Sequence, residues 1–386
     1  MRNGMRVGTR SPLPAARSPH LHRLVAGCMS GTSIDGIDAA LVRMVGRGLN
    51  IRAMVERTVN LRFGRFAEHL RAIAGQKPVP AGVIAYASHK LGSLHLSILR
   101  KLMGRENISL AAVHGQTVYH RPPLSWQLLN PAPIAYGLGV PVVYDLRAAD
   151  LALGGLGAPI TPIADFILFR DESEPRTIVN LGGFCNITHI PARPESADLE
   201  AWLAEVSGGD VCACNQLLDG LARELLGKRF DQDGRAAGRG QVLNELLALF
   251  CQQLQAQRNA RRSLGSVDEL RNNVAPSFTG KQPKPEDVLR TACAAIAATI
   301  VSGRESDHLI LAGGGALNRT LVSELRNRSA GKVSLSDDYG IPVTHREAVG
   351  MAILGALCQD GVPITLPQVT GITRTPVAGA WIFPLE

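Results

Sequence analysis

Short apolar segments that suit buried strands alternate along the chain with longer segments of helical spacing. Leu24–Ala26 and Ala39–Met44 predict a hairpin around a turn rich in Gly, Ser and Thr. Thr177–Thr188 predicts a second strand–turn–strand unit, around paired glycines. Further strands are predicted at Leu110–Val113, Pro141–Tyr144 and His308–Leu311. Because strands and helices alternate, we expect an α/β fold of helix-covered sheets with parallel strands.

The helical segments complete this pattern. The stretch Asn272–Pro285, which contains Pro, Gly and Lys, is predicted to be a loop. The predicted helices are Phe66–Ala74, Val83–Met103, Ile134–Leu138, Ala158–Arg170, Asn215–Leu226, Val242–Gln257, Asp287–Val301, Arg319–Asn327 and a last one that begins at Glu347. Since the two glycine hairpins lie in separate halves of the chain, we expect two lobes that face each other across a cleft.

The length of 386 residues predicts two domains, because a single hydrophobic core stops growing beyond about 250–300 residues. We expect a first lobe over residues 22–172 and a second over 173–364, with a return of 365–386 to the first lobe left open. Residues 1–21 are basic, contain prolines and lack the apolar core of a signal peptide, so they predict a disordered tail.

Charge and composition exclude several classes of function. Most of the net charge of +8 comes from residues 1–23, which carry five arginines and no acid. With 4% aromatic residues the chain offers few platforms for base stacking, so we expect no nucleic-acid partner. No apolar run approaches the roughly 18 residues of a membrane span, so we expect no membrane partner. The seven cysteines are scattered and odd in number, which favours reduced thiols and a cytoplasmic location.

The turn inside the first predicted hairpin carries groups that suit a phosphate. Its glycines allow close approach of the backbone, and its hydroxyls stand beside main-chain N–H groups. Asp35 and Asp38 are hard oxygen ligands of the kind that hold magnesium, and Asp35 is the candidate metal ligand. An ordinary polar turn is the alternative, and no Lys follows the glycines as a Walker loop requires. The candidate phosphate-binding residues are Ser30, Gly31, Thr32, Ser33, Ile34, Asp35, Gly36 and Ile37.

Two further glycine turns are candidates for nucleotide binding. Gly182 and Gly183 interrupt the second hairpin. Gly313, Gly314 and Gly315 join a predicted strand to a predicted helix, an arrangement that directs helix N–H groups at a nucleotide. A simple packing turn between strand and helix is the alternative for this last segment.

An ordered series of motifs extends from about Val25 to Pro384. Through them the chain resembles the anhydro-N-acetylmuramic acid kinases and, more distantly, the levoglucosan kinases, both of the actin/hexokinase/Hsp70-like superfamily. This resemblance implies a two-lobed, ribonuclease H-like kinase fold with an interlobe cleft. The motifs are Met29-Ser30-Gly31-Thr32-Ser33-Ile34-Asp35-Gly36-Ile37-Asp38, His114-Gly115-Gln116-Thr117, Asp145-Leu146-Arg147-Ala148-Ala149-Asp150, Gly157-Ala158-Pro159, Asn180-Leu181-Gly182-Gly183, Asn186-Ile187-Thr188, Asp233-Gly234, Gly313-Gly314-Gly315-Ala316 with Asn318, Glu347-Ala348, and Leu366-Pro367 with Val369-Thr370-Gly371.

The resemblance also implies a reaction. Water opens a 1,6-anhydro sugar at its anomeric carbon while ATP, with magnesium, phosphorylates the freed O6. One carboxylate must take a proton from the water, which is a poor nucleophile when neutral. Aligned on the family's Asp-Thr-Gly-Pro-Gly-Asn segment, Asp210 is the expected base, with Glu347 as the carboxylate that helps to position the water. A helix cap before Asn215 is the alternative for Asp210.

The same resemblance implies the remaining partners. A small-molecule sugar would bind on a side of the cleft formed by His114, Gln116, Asp145, Arg147 and Asn215. For Asp145 and Arg147 a structural ion pair is the alternative. The family tends toward homodimers, and its reaction serves the recycling of cell-wall sugar.

Two segments depart from the family pattern. Thr-Gly-Pro-Gly is replaced by Val211-Cys212-Ala213-Cys214, and Pro-Pro-Lys-Ser-Thr-Gly-Arg-Glu by Ala260-Arg261-Arg262-Ser263-Leu264-Gly265-Ser266-Val267. Two alternatives therefore stay open beside anhydro-N-acetylmuramic acid as the substrate. One is a kinase of another anhydro-sugar or hexose, and the other is a two-lobed nucleotide-binding protein that has lost catalysis.

Overall fold

The structure is a computed structural model that describes residues 22–259, 264, 283–304 and 307–384. The strands are β1 (His22–Ser30), β2 (Gly36–Val45), β3 (Arg52–Arg62), β4 (Leu110–Arg121), β5 (Leu124–Leu128), β6 (Val142–Tyr144), β7 (Arg176–Leu181), β8 (Phe184–Ile190), β9 (Ser207–Ala213), β10 (His308–Ala312), β11 (Val333–Leu335) and β12 (Ala380–Ile382). The α-helices are α1 (Phe66–Ala74), α2 (Ala81–Met103), α3 (Ala132–Leu138), α4 (Ala148–Ala152), α5 (Pro162–Phe169), α6 (Leu199–Ala204), α7 (Asn215–Leu226), α8 (Asn244–Asn259), α9 (Pro285–Val301), α10 (Arg319–Arg328), α11 (Arg346–Gln359) and α12 (Pro367–Thr370).

The strands form two mixed sheets with matching topology. Within the described residues, the first sheet follows the order β12-β6-β4-β1-β2-β3, with β5 paired to β4, and the second follows β11-β10-β7-β8-β9. In each sheet three consecutive strands pair antiparallel, and the first of the three also pairs with a parallel strand. This confirms the predicted α/β class, and the matching order β3-β2-β1-β4-β6 and β9-β8-β7-β10-β11 fits two duplicated lobes.

A shared hydrophobic core joins the two sheets. One buried cluster contains Val25 of β1 and Ile178 of β7 together with Phe166 of α5 and Met351 of α11. Two other clusters lie on the far faces, one between the first sheet and α2 and the other between the second sheet and α9. The helices α5 and α11 therefore lie between the sheets.

The C-terminal part of the chain returns to the first sheet. β12 pairs antiparallel with β6. α11 precedes the predicted boundary at residue 364, yet it packs against β1, where a Cβ on Gly27 would lie 2.1 Å from Ala348 O. Gly355 of α11 meets the sheet in the same way, since its Cβ would lie 2.4 Å from Ala112 Cβ.

The predicted helices at Phe66–Ala74 and Asn215–Leu226 are confirmed at both ends. The helix predicted at Ala158–Arg170 begins later, at Pro162. The pattern of apolar residues does not predict β3, β5, β9, β11 or β12. Of these strands, β11 and β12 are short, and β3 is a largely exposed edge strand. No helix in the described part of the chain is long and apolar enough to cross a membrane. The predicted tail lies outside the described residues. Residues 260–267 apart from Leu264, and residues 272–282 of the predicted loop, also lie outside them.

Candidate functional site

The first glycine turn, residues 31–35, connects β1 to β2. Ile34 adopts a positive φ of 52°, its N–H donates to Gly31 O at 3.2 Å, and its side chain is buried. Thr32, Ser33 and Asp35 remain exposed, and Ser33 Oγ donates to Asp35 Oδ1 at 2.8 Å. The turn thus presents hydroxyl, carboxylate and backbone groups outward. The neighbouring Ile37 is fully buried in β2, so only its backbone can face a ligand.

Ser30 and Gln116 support this turn from inside the sheet. Ser30 Oγ donates to Gln116 Oε1 at 2.5 Å, and Gln116 Nε2 donates to Gly31 O at 3.1 Å. Both side chains are buried. Their polar groups therefore hold the shape of the first glycine turn, while direct contacts from Gln116 to sugar and from Ser30 to phosphate stay predictions.

The second glycine turn, Gly182–Gly183, faces the first. A Cβ added to Gly183 would lie 3.7 Å from Thr32 Oγ1. The start of α7 fixes this turn, because the N–H groups of Cys214 and Gln216 donate to Gly183 O at 2.9 and 3.1 Å. The two sheets thus bring the first two glycine turns close together.

The third glycine turn, Gly313–Gly315, packs beside the end of β7. Gly313 has a positive φ of 86°, and a Cβ there would lie 2.8 Å from both Asn180 Oδ1 and Leu181 O. Asn215 lies between the second and third turns, since its Nδ2 donates to Leu181 O at 3.0 Å and a Cβ on Gly315 would lie 3.0 Å from its Oδ1. Asn215, predicted on the sugar side, is thus a neighbour of the glycine turns.

Replacing Gly183 by Ala should raise the KM for ATP about tenfold, equivalent to ~1.4 kcal/mol, if the gap between the first two turns holds phosphate. The added methyl would make only ordinary contacts, 3.5 Å from Gln216 Cγ at the nearest, so we expect the protein to fold. Steady-state kinetics against ATP concentration measures the effect. Gly82→Ala is the matched control, because its Cβ would meet nothing within 4 Å. An unchanged KM in Gly183→Ala would contradict phosphate binding in this gap.

Two acceptors hold the guanidinium of Arg147 in place. Its Nε donates to His114 Nε2 at 2.9 Å, and its Nη1 donates to Gly157 O at 2.6 Å. Since His114 Nε2 accepts this bond, its Nδ1 carries the proton and donates to Gly115 O at 3.1 Å. Burial and the charge of Arg147 lower the pKa of His114 to about 3, so the ring is neutral. No ion pair joins Arg147 to Asp145 in the described part of the chain, and the structure gives no support to that alternative.

Both predicted catalytic carboxylates lie near Arg147. Burial lowers the pKa of the Arg147 guanidinium to about 10, and the negative charges of Glu347, Asp210 and Asp150 oppose that shift. Glu347 lies in the first turn of α11, where burial raises its pKa and the charges of Arg346 and Arg147 act in the opposite direction. The tertiary structure therefore brings residues 147, 210 and 347 into one electrostatic group.

Asp210 belongs to a strand and does not cap a helix. It lies in β9 and pairs with Asn186 of β8, while the residue at the N-cap of α7 is Cys214. Its Oδ2 accepts a hydrogen bond from the Leu264 N–H at 2.7 Å. The alternative of a helix cap is thereby excluded, and the carboxylate is anchored by backbone from a distant segment.

Asp35 and Asp38 provide two carboxylates near the first glycine turn. Burial raises the pKa of Asp38 to about 7, and the negative charges of Asp35 and Glu347 add to the rise. A divalent cation would relieve this repulsion, and magnesium is commonly held by one or two carboxylates together with substrate phosphates. No group of three or more His, Cys, Asp or Glu side chains within the described ranges forms a ready-made metal site.

Asp150, which is not among the predicted site residues, is a buried carboxylate that the structure links to Arg147. Asp150 Oδ2 accepts from the Gly157 N–H at 2.7 Å, and Asp150 Oδ1 accepts from Thr370 Oγ1 at 2.8 Å. Because Gly157 O in turn accepts from Arg147, Asp150 helps to orient that guanidinium. The signal was available, since residue 150 closes the Asp-Leu-Arg-Ala-Ala-Asp motif.

Two sheets of matching topology, helices between them and facing glycine turns define a two-lobed α/β protein of the actin/hexokinase-like class. Residues 23–384 match the family model for anhydro-N-acetylmuramic acid kinase. The chain therefore belongs to the anhydro-N-acetylmuramic acid kinase family.

Individual relatives show how far the similarity extends. An anhydro-N-acetylmuramic acid kinase of Salinibacter ruber is 32% identical over 92% of this chain and 95% of its own. That of Synechococcus sp. (strain WH7803) is 33% identical over 93% of this chain and 99% of its own. A solved ROK family glucokinase from Streptomyces griseus, in complex with glucose and AMPPNP, shares 14% identity over 86% of this chain and 99% of its own, with a TM-score of 0.38.

Proposed function

We propose that the protein is an ATP-dependent kinase that hydrolytically opens 1,6-anhydro-N-acetylmuramic acid and phosphorylates O6, giving N-acetylmuramic acid 6-phosphate. One observation carries the proposal beyond family membership. The negative charges of Asp210 in β9 and of Glu347 in α11, two elements far apart in the sequence, both act on the pKa of Arg147.

The hydrolytic step needs a base and an oriented water. Asp210 takes a proton from water as the oxygen attacks the anomeric carbon, and the bond between that carbon and O6 breaks. Glu347 orients the water through its carboxylate; burial raises the pKa of this group, and the positive charges of Arg346 and Arg147 oppose the rise. A positioned general base of this kind contributes about 10²–10⁴-fold to the rate.

The freed O6 then accepts the γ-phosphoryl group, and ADP leaves. Phosphoryl transfer depends mainly on positioning and on compensation of charge, which backbone N–H groups of the glycine turns can supply. Asp35, with Asp38 beside it, would hold magnesium. The magnesium ion, when bound, would neutralise charge on the phosphates. The third glycine turn would contact the nucleoside side, because it packs behind the second.

The altered Val211–Cys214 segment weighs against a loss of catalysis. All of its residues are buried, and Cys212 pairs with Cys185 across β8 and β9. The substitutions therefore fill the core of the second lobe, while Asp210 keeps its place in β9. This supports a working active site over a scaffold that only binds nucleotide.

The location and assembly follow as parts of the same proposal. All seven cysteines are free thiols, in keeping with a reducing cytoplasm. We propose a cytoplasmic homodimer, as the family tends to form, that serves the recycling of cell-wall sugar.

An assay of ADP release tests the proposal against its rivals. We expect ADP and the sugar 6-phosphate to form with 1,6-anhydro-N-acetylmuramic acid, and a coupled enzyme assay with mass spectrometry measures both. ADP release only with other anhydro-sugars or hexoses would instead establish a different substrate. ATP binding without turnover of any sugar would show that catalysis has been lost.

A further inference from the structure

A buried cluster of three polar side chains joins α5, α11 and β8 at the core shared by the two sheets. Arg346 Nε donates to Asp165 Oδ1 at 2.8 Å, Arg346 Nη2 donates to Asp165 Oδ2, and Thr188 Oγ1 donates to Asp165 Oδ2 at 2.6 Å. Asp165, Thr188 and Arg346 are 1%, 2% and 3% exposed. One carboxylate therefore binds a helix and a strand that are far apart in sequence.

Burying the charges of this cluster costs free energy. Removing two charges from water costs several kcal/mol per ion, and apolar replacements of buried ion pairs are often equally stable. Arg346 Nη1 adds to this cost, because it is buried and finds no acceptor among the described residues. We therefore look for the role of the cluster in the relative positions that it imposes on α11 and β8.

The two ends of the cluster adjoin the two proposed catalytic carboxylates. Arg346 directly precedes Glu347 in the first turn of α11. Thr188 lies in β8 two residues beyond Asn186, and Asn186 pairs with Asp210 of β9. Asp165 thus contacts both the helix that carries Glu347 and the strand next to the one that carries Asp210.

We propose that Asp165 is a positioning residue that fixes Glu347 relative to Asp210, acting through Arg346 on one side and Thr188 on the other. This inference rests on the proposed roles of those two carboxylates in the reaction. Both must contact one water molecule, and small misplacements of reacting groups lower rates steeply. The cluster joins the helix that carries Glu347 to the strand next to the one that carries Asp210.

Thr188→Val tests the link with little change of shape, because Val replaces the hydroxyl by a methyl. We expect kcat to fall about tenfold, equivalent to ~1.4 kcal/mol, with KM for ATP unchanged and Thr188→Ser restoring most of kcat. Thr299→Val is the matched control, since Thr299 is a buried threonine whose Oγ1 donates within α9 to Ala295 O at 2.9 Å. A kcat in Thr188→Val equal to that of Thr299→Val would overturn the proposal.

Hydrogen–deuterium exchange separates this inference from the proposed function. In Thr188→Val, and not in Thr299→Val, backbone amides in the first turn of α11 and in β9 should exchange faster than in the unmodified protein. Exchange in these segments that matches the control would overturn the positioning role, whichever sugar the enzyme uses. Lack of turnover of the anhydro sugar by the unmodified protein would instead overturn the proposed function.

Asp165→Asn gives a second readout through the charge of Glu347. Among the described residues, the charges of Arg346, Arg147 and Asp165 act on this carboxylate, and the charge of Glu347 in turn acts on Asp38. Because Asp165 raises the pKa of Glu347, its neutralisation should lower that pKa and move the acid limb of kcat/KM to lower pH. An acid limb that stays in place or moves to higher pH would contradict the coupling.

Discussion

Asp210→Asn should lower turnover of the anhydro sugar by about 10³-fold, within the range that a general base contributes, while ATP still binds. The amide keeps the size of the carboxylate and can still accept the hydrogen bond from the Leu264 N–H. It cannot take a proton from water at neutral pH, so the nucleophile remains weak. Release of ADP measures turnover, and calorimetry with a non-hydrolysable ATP analogue measures binding.

The control for this variant is Asp337→Asn, an exposed aspartate in the short turn after β11. We expect its turnover to match that of the unmodified protein. If Asp210→Asn retained turnover within a few-fold of that control, another group would have to serve as the base.

Arg147→Met should lower turnover about 10²-fold, comparable to the loss of one preorganised charge donor in other active sites. The variant removes the hydrogen bonds to His114 and Gly157 and the positive charge near both proposed catalytic carboxylates. Without that charge the pKa of Glu347, already raised by burial, should rise further. The carboxylate then ionises only at higher pH, so the acid limb of kcat/KM moves upward.

The pH profile distinguishes this electrostatic role from a general loss of structure. Arg43→Met is the control, because Arg43 lies on β2 at the surface and pairs with Glu56. Its profile should coincide with that of the unmodified protein. If Arg147→Met lost activity equally at every pH, Arg147 would act by shape alone and not through the charge of Glu347.

Much of the architecture follows from local patterns in the chain. Helical spacing places α1 and α7 at their observed ends, and the glycine turns appear directly as breaks in apolar runs. The edge strand β3 escapes such analysis because none of its residues is fully buried and an irregularity in its pairing with β2 interrupts the alternation along it. The short strands β11 and β12 owe their assignment to pairing with β10 and β6.

In the candidate site too, some features follow from the sequence and others only from the fold. Motifs name Asp210, Glu347 and Arg147, but the sequence separates them by many residues and leaves open a helix cap for Asp210 and an ion pair with Asp145 for Arg147. Strand pairing between β8 and β9 decides the first question. The hydrogen bonds of Arg147 to His114 and Gly157 answer the second.

The sequence by itself thus determined the family, the alternation of strands and helices, and the residue types that suit phosphate and proton transfer. These properties depend on neighbours along the chain. Only the tertiary structure decided that α11 packs against the first sheet, that two glycine turns from different sheets face each other, and that Asp165 joins α11 to β8. Such contacts arise because burial of apolar faces brings distant segments together, and no local pattern records which segments will meet.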